Sequence, residues 1–365
     1  MIPINLIKKL NRERLYRRKA NKIISTRKIQ KNKTELPESI KKIIILHFQQ
    51  GWGDFLYFSG LVNFFEKNGI EVTLGTSPKL IERFSNIKTS GGVFDASDLV
   101  NSYPDTFGID CLLDLDWVVK NDHPLKFIQE SNLWSITCSP VLAHTNAFNQ
   151  YIDFSKISHI SQRYSFVAKS ITRLNCQEIR PSINLTPKSL QESFEFLSKN
   201  NLTNKSFIYL NTLGRDSDRE FNPLQIKTIL NTINDKDLPV VFYSPHFNIK
   251  SYANLNLKSH LFLPVPNVDF FTLSAIISNA KAVITPDTSI VHLASTFNIP
   301  ALAFFCQNDY DYFGNHLLSE TWSPLSSGSF IVDNSKKYSL FQKNIPIHNL
   351  DLDISSLIKS FLSKI

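Results

Sequence analysis

The sequence lacks any run of apolar residues near the ~20 that a membrane span requires, and its first residues lack the apolar core of a signal peptide. Cysteine is scarce and scattered: Cys111, Cys138, Cys176 and Cys306 form no Cys-x-x-Cys pair and no Cys/His cluster. That argues against disulfides and structural zinc and predicts a reducing, cytoplasmic setting. Glycine numbers only 11, which with the 42% hydrophobic fraction allows well-filled cores and argues against a disordered chain, and no internal repeat of solenoid period is present. A chain of 365 residues with 42% hydrophobic side chains is too long for one ordinary core, which predicts two well-filled domains.

The net charge of +8 is unevenly spread. Residues 1–40 hold twelve Lys and Arg against Glu13, Glu35 and Glu38, whereas the remaining 325 residues carry 28 basic and 29 acidic side chains. The body is neutral and the head is basic. Ile4, Leu6, Ile7, Leu10, Leu15, Tyr16, Ile23 and Ile24 interleave those cations. This pattern suits a short amphipathic helix on an anionic membrane surface. A nucleic-acid arm and a solvated tail are the other readings, and the neutral body favours no nucleic-acid partner.

Strand and helix signals alternate after Pro37. Lys42-Ile-Ile-Ile-Leu-His-Phe48 reads as a strand, 49–54 as a turn, Phe55 to Lys67 as a helix and Glu71 to Gly75 as the next strand. Strands are also expected over 109–115 and 133–137, then a mostly helical segment over 146–174. A second alternation follows: strands at 207–211 and 239–243, helices over 223–234 and 269–279, and a closing helix over 350–362. Two such halves predict an α/β protein of two Rossmann-like domains facing a cleft.

The most informative segment is Ala282-Val-Ile-Thr-Pro-Asp-Thr-Ser-Ile-Val-His-Leu-Ala-Ser-Thr-Phe-Asn-Ile-Pro-Ala-Leu-Ala-Phe-Phe305. It reads as strand, tight turn, short helix and buried strand, with Thr288 and Ser289 placed to cap the helix. A strand feeding a helix N-terminus aims free backbone N–H groups and a positive dipole end at a phosphate. A second strand–turn–helix, Gln50-Gly51-Trp52-Gly53-Asp54, puts two glycines where a tight turn and close backbone approach are expected. In the second half, Asn211-Thr212-Leu-Gly-Arg215-Asp-Ser-Asp-Arg219-Glu-Phe-Asn-Pro223 leaves a strand and ends at a helix start, with cations suited to phosphate.

These three segments, in this order, resemble glycosyltransferase family 9, the lipopolysaccharide heptosyltransferase family. Asp287-Thr288-Ser289-x-x-His292-Leu293-Ala294, with Asn298-x-Pro300 after it, is similar to the family's Asp-Thr/Ser-Gly-x-x-His-Leu/Ile-Ala signature, with Ser289 in place of the Gly. Arg219-Glu-Phe-Asn-Pro223 is similar to the family's Lys-Arg/His-Trp-Pro with one residue inserted, and Trp322-Ser-Pro324 to its Trp-x-Pro. The resemblance covers most of residues 42–365 and implies the GT-B architecture. It implies an inverting, metal-independent glycosyltransferase that needs no cofactor, with Asp54 as catalytic base. It further implies acceptor-side contacts at Gly51 and Gly53 and donor contacts at Thr212, Arg215, Arg219, Asp287, Thr288, Ser289 and His292. Asp287 is expected to meet a sugar hydroxyl or His292, and His292 a phosphate or Asp287.

The implied donor is a nucleotide sugar, ADP-heptose first. The implied acceptor is a lipid-linked glycan at the inner face of the cytoplasmic membrane. Around Ser244-Pro-His246 stands no acidic residue of the kind that some members use to hold a ribose, so adenine comes from the family alone. Another nucleotide sugar for capsule or protein glycosylation, and a non-catalytic nucleotide-sugar-binding protein at the membrane, are the alternatives. Asp-x-Asp pairs at Asp114/Asp116, Asp216/Asp218, Asp309/Asp311 and Asp351/Asp353 match a metal-binding pattern only formally. The expected domains are a basic extension over 1–40, an acceptor-side domain over 41–185 and a nucleotide-sugar domain over 186–365.

Overall fold

The structure, a computed structural model, describes residues 37–99, 108–115, 133–138, 148–243, 262–264, 268–306, 316–333, 345–350 and 352–365. The basic segment over 1–36, Asp116, Asp309, Asp311, Asp351 and Ser244-Pro-His246 lie outside the described residues. The chain divides into two compact units, one ending at Ile179 and the other running from Arg180 to Ile365.

The first unit is built on β1 (Lys42–Leu46), β2 (Glu71–Thr76), β3 (Val93–Asp95), β4 (Cys111–Asp114), β5 (Trp134–Thr137) and β6 (Gln150–Tyr151). They pair in the order β3-β2-β1-β4-β5-β6, every neighbour parallel. Ile43, Ile44, Ile45 and Leu46 are all buried, as an inner parallel strand covered on both faces requires. The helix α1 (Trp52–Lys67) follows β1, and α2 (Pro78–Phe84) follows β2. Phe55, Phe58 and Phe65 are buried on α1. The helix α3 (Ile160–Thr172) packs against α1.

The helix expected over 146–174 is shorter than its pattern suggested. Residues 150–151 form β6, and Asp153 then turns the chain by accepting hydrogen bonds from the backbone N–H and hydroxyl of Ser155. The helix starts only at Ile160, capped by His159, whose ring nitrogen accepts from the Ser161 N–H.

The second unit holds β7 (Ile208–Asn211), β8 (Val240–Tyr243), β9 (Phe262–Pro264), β10 (Ala282–Pro286), β11 (Ala301–Phe304) and β12 (Phe330–Val332). Its parallel order is β12-β11-β10-β7-β8-β9. Around it stand α4 (Pro187–Lys199), α5 (Pro223–Asn234), α6 (Phe270–Ile277), α7 (Ser289–Thr296), α8 (Leu318–Thr321) and α9 (Ile354–Leu362). The closing helix begins four residues later than its sequence pattern suggested. Asp353 caps it, accepting from the N–H and hydroxyl of Ser356, bonds that hold its carboxyl below the usual range.

Read from the first strand of each unit, both sheets have the Rossmann order 3-2-1-4-5-6. The order reverses between β1 and β4 and between β7 and β10. Ligands of doubly wound sheets bind beyond the carboxyl ends of the strands at that reversal. The turns after β1, β7 and β10 are the three segments singled out by the sequence.

Candidate active site

In the second unit, Thr288 is the N-cap of α7, its Oγ1 accepting from the Ile290 N–H at 3.3 Å, and Ser289 is the first helical residue. The cap is itself held in place. The Asn211 side-chain amide, at the end of β7, reaches Thr285 Oγ1 at 3.1 Å, Thr288 Oγ1 at 3.2 Å and the Leu213 carbonyl at 2.9 Å. Thr285 Oγ1 in turn lies 3.1 Å from Thr288 Oγ1. One amide thus ties the two central strands together where they open into loops.

The loop after β7 folds back on itself. The Phe221 N–H donates to the Thr212 carbonyl, and residues 217–219 form a 3-10 turn. Gly214 lies under the backbone of Arg219: a Cβ there would fall 2.7 Å from the Arg219 carbonyl carbon, closer than real Cβ atoms come, so glycine is required by contact rather than by turn type. Cys306 Sγ donates to the Asp218 carbonyl at 3.3 Å, and a ring nitrogen of His348 lies 3.1 Å from the Ser217 carbonyl. The capping box of Asn222 and Gln225 fixes where the loop enters α5.

The fixed loop carries Arg219 to Asp287. Their side chains pair at 2.9 Å, with 21% and 8% of their surfaces exposed. Asp287 therefore meets an arginine, a partner that the sequence reading did not foresee. Thr212 Oγ1 is buried with no hydrogen-bond partner among the described residues, and a buried hydroxyl of that kind calls for a ligand or water. Arg215 lies exposed on the same loop. His292 is buried on α7, its ring 5.2 Å from that of Trp322. The structure thus brings together Thr212, Arg219, Asp287 and Thr288. It adds Asn211 and Thr285, whose parts depend on β7 and β10 being neighbours, and Gly214, whose part depends on the loop folding back onto Arg219.

In the first unit, Gly51 is the N-cap of α1 and Asp54 stands in its first turn. Neither Gly51 nor Gly53 adopts positive φ. A Cβ on Gly51 would instead strike the Asp54 carboxylate, which bends back over the cap. Glycine leaves the carboxylate its place over the first turn of the helix. Among the Asp-x-Asp residues, Asp114 is buried and accepts from Thr137 Oγ1 at 2.8 Å, and Asp353 is the cap of α9.

Two parallel sheets of Rossmann order, with a polar turn beyond the central strands of each, define the fold class, GT-B. The sequence profile of glycosyltransferase family 9 (heptosyltransferase) matches residues 144–340, more than half of the chain, and the chain belongs to that family. The matched span holds Thr212 through His292 and leaves out Gly51 to Asp54. The protein of Escherichia coli (strain K12) named "Putative lipopolysaccharide heptosyltransferase 4" is 23% identical over 305 residues, 79% of this chain and 80% of its own. A glycosyl transferase family 9 structure from Veillonella parvula DSM 2008 superposes with a TM-score of 0.69 at 11% identity, over 91% of this chain and 99% of that one. The structure of E. coli ADP-heptose lipopolysaccharide heptosyltransferase II gives 0.63 at 12% identity, over 89% and 98%.

Proposed function

We propose that this glycosyltransferase moves heptose from ADP-heptose, with inversion at C1, to an acceptor of the lipopolysaccharide inner core or a related lipid-linked surface glycan. The observation that carries the donor side is the Arg219–Asp287 pair at the carboxyl edge of β7 and β10, beside the capped start of α7 and the buried Thr212 hydroxyl, which has no hydrogen-bond partner among the described residues. Arg219 and the N–H groups at Thr288 and Ser289 take the diphosphate. Asp287 holds Arg219 in orientation and presents its other oxygen to a sugar hydroxyl. His292, packed on Trp322, supports the turn from below. The choice of heptose and adenine rests on the family and on the E. coli relative named for ADP-heptose.

Asp54 is the general base. It takes the proton of the acceptor hydroxyl as that oxygen attacks C1 of the donor; the C1–O bond to the diphosphate breaks, and ADP leaves with the electron pair. Charge growing on ADP is met by Arg219 and the helix N-terminus rather than by a metal ion. A transfer assay with ADP-heptose and a delipidated inner-core acceptor tests this: the rate in EDTA equals the rate without it. A rate abolished by EDTA and restored by a divalent cation would contradict the metal-free leaving-group account.

The basic head serves location rather than chemistry in this proposal. Among the described residues no helix is long and apolar enough to cross a membrane, whereas residues 1–40 concentrate the net positive charge. A variant lacking residues 1–36 binds donor and glycosylates a soluble acceptor like the full chain. It loses co-sedimentation with anionic liposomes, which the full chain loses as salt screens surface charge. Equal co-sedimentation of the two would show that the segment does not hold the enzyme to lipid.

A further inference from the structure

The turn that carries Asp54 is gripped by a residue from outside it. Arg83, in the last turn of α2, donates from Nη1 to the Gln50 carbonyl, and its guanidinium lies 4.0 Å over the ring of Trp52. Gln50 and Trp52 are the two residues that flank Gly51, the N-cap on which the Asp54 carboxylate rests. Arg83 thereby fastens both sides of the cap at once.

The grip has a rigid base. Phe84, the residue after Arg83, is wholly buried, with its ring 5.7 Å from Phe55, 5.5 Å from Phe58 and 5.5 Å from His47. Phe55 and Phe58 belong to α1, and His47 to the strand end that leads into the turn. The end of α2 is therefore locked to the element that Arg83 reaches. The Trp52 ring in turn meets Phe55 edge-on at 5.4 Å. A planar cation suits this role because it can donate in its plane and stack through its face, using both surfaces on one turn. Burial lowers the Arg83 pKa, a cost borne to keep the cation against the ring rather than in water.

We infer that Arg83 is a positioning residue for transfer: through Gln50 and Trp52 it sets the start of α1 and hence the place of the Asp54 carboxylate against the acceptor hydroxyl. This rests on the reading of Asp54 as the base. Positioning matters at this scale because a misplacement of about 1 Å costs up to ~10²-fold in rate.

The test is a double-mutant cycle on the full chain, with kcat, acceptor KM and donor affinity measured for Arg83→Ala, Arg83→Lys, Asp54→Asn and Asp54→Asn/Arg83→Ala. Arg83→Ala lowers kcat roughly tenfold, within the misplacement scale, and leaves donor affinity and acceptor KM near the parent values. Arg83→Lys, which keeps a donor and a cation over Trp52, recovers most of the rate. In the Asp54→Asn background, Arg83→Ala changes the residual rate by less than about twofold, because two residues acting through one group are non-additive. If Arg83→Ala does not fold, Arg83→Gln, which keeps a donor for the carbonyl without the charge, takes its place in the cycle. A parent-like kcat in Arg83→Ala, an equal loss in both backgrounds, or a loss confined to acceptor KM would overturn the inference. Near-parent turnover in Asp54→Asn would instead overturn the base assignment, which keeps the two failures apart.

Discussion

Asp54→Asn lowers turnover by roughly 10² or more, the scale of a general base, and leaves affinity for the nucleotide donor nearly unchanged. Asparagine has almost the shape of aspartate and can occupy the same space over Gly51, but it cannot accept the acceptor proton. The carboxylate stands in the first turn of α1, and it has room only because position 51 has no Cβ. The residues proposed to hold the donor all belong to the other unit. Calorimetry with ADP and initial rates on the same preparations separate the two quantities. Turnover near that of the parent would remove Asp54 from the mechanism.

Arg219→Ala raises the dissociation constant of ADP about 10-fold to 100-fold, the worth of one charge-assisted hydrogen bond to phosphate, and lowers turnover further. The extra loss in turnover arises because charge on the leaving diphosphate is greatest in the transition state. Removing Arg219 also breaks the buried ion pair that it makes with Asp287 at 2.9 Å. Breaking such a pair costs roughly 3 kcal/mol or more, so the variant should melt earlier, and binding must be measured well below its melting temperature. Arg219→Lys separates the effects: it keeps a positive charge beside Asp287 but loses the planar fork. ADP affinity equal to the parent's in Arg219→Ala would show that this arginine serves only the fold.

The parts of this fold that could be read in advance are those with local causes. The inner strands are continuous apolar runs because both faces of a parallel sheet are covered; the strand from Ala282 and that from Ala301 to Phe304 formed where their composition pointed, the first running on past Ile284 through Pro286, where a break was expected. The cap at Thr288 and the start at Pro223 were legible because capping is set within three or four residues. Asn211 was not, since its amide acts on Thr285 and Thr288 and only the pairing of β7 with β10 brings them near. The Arg219–Asp287 pair has the same origin, whereas the tilted contact of His292 with Trp322 needs the chain after β11 to return to α7. Gly51 was expected for a tight turn and close backbone approach; its φ is ordinary, and the Asp54 carboxylate occupies the space that a Cβ there would fill. The late start of α3 escaped because a histidine cap and an Asp153 turn outweighed a weak helical pattern.

Transfer from ADP-heptose with inversion is tested most directly by proton NMR of the full chain acting on ADP-heptose and a delipidated inner-core acceptor. The predicted spectrum shows one new glycosidic anomeric signal, of configuration opposite to that of the donor, growing in step with released ADP. Retained configuration, or no transfer from ADP-heptose alongside transfer from a different nucleotide sugar, would contradict it.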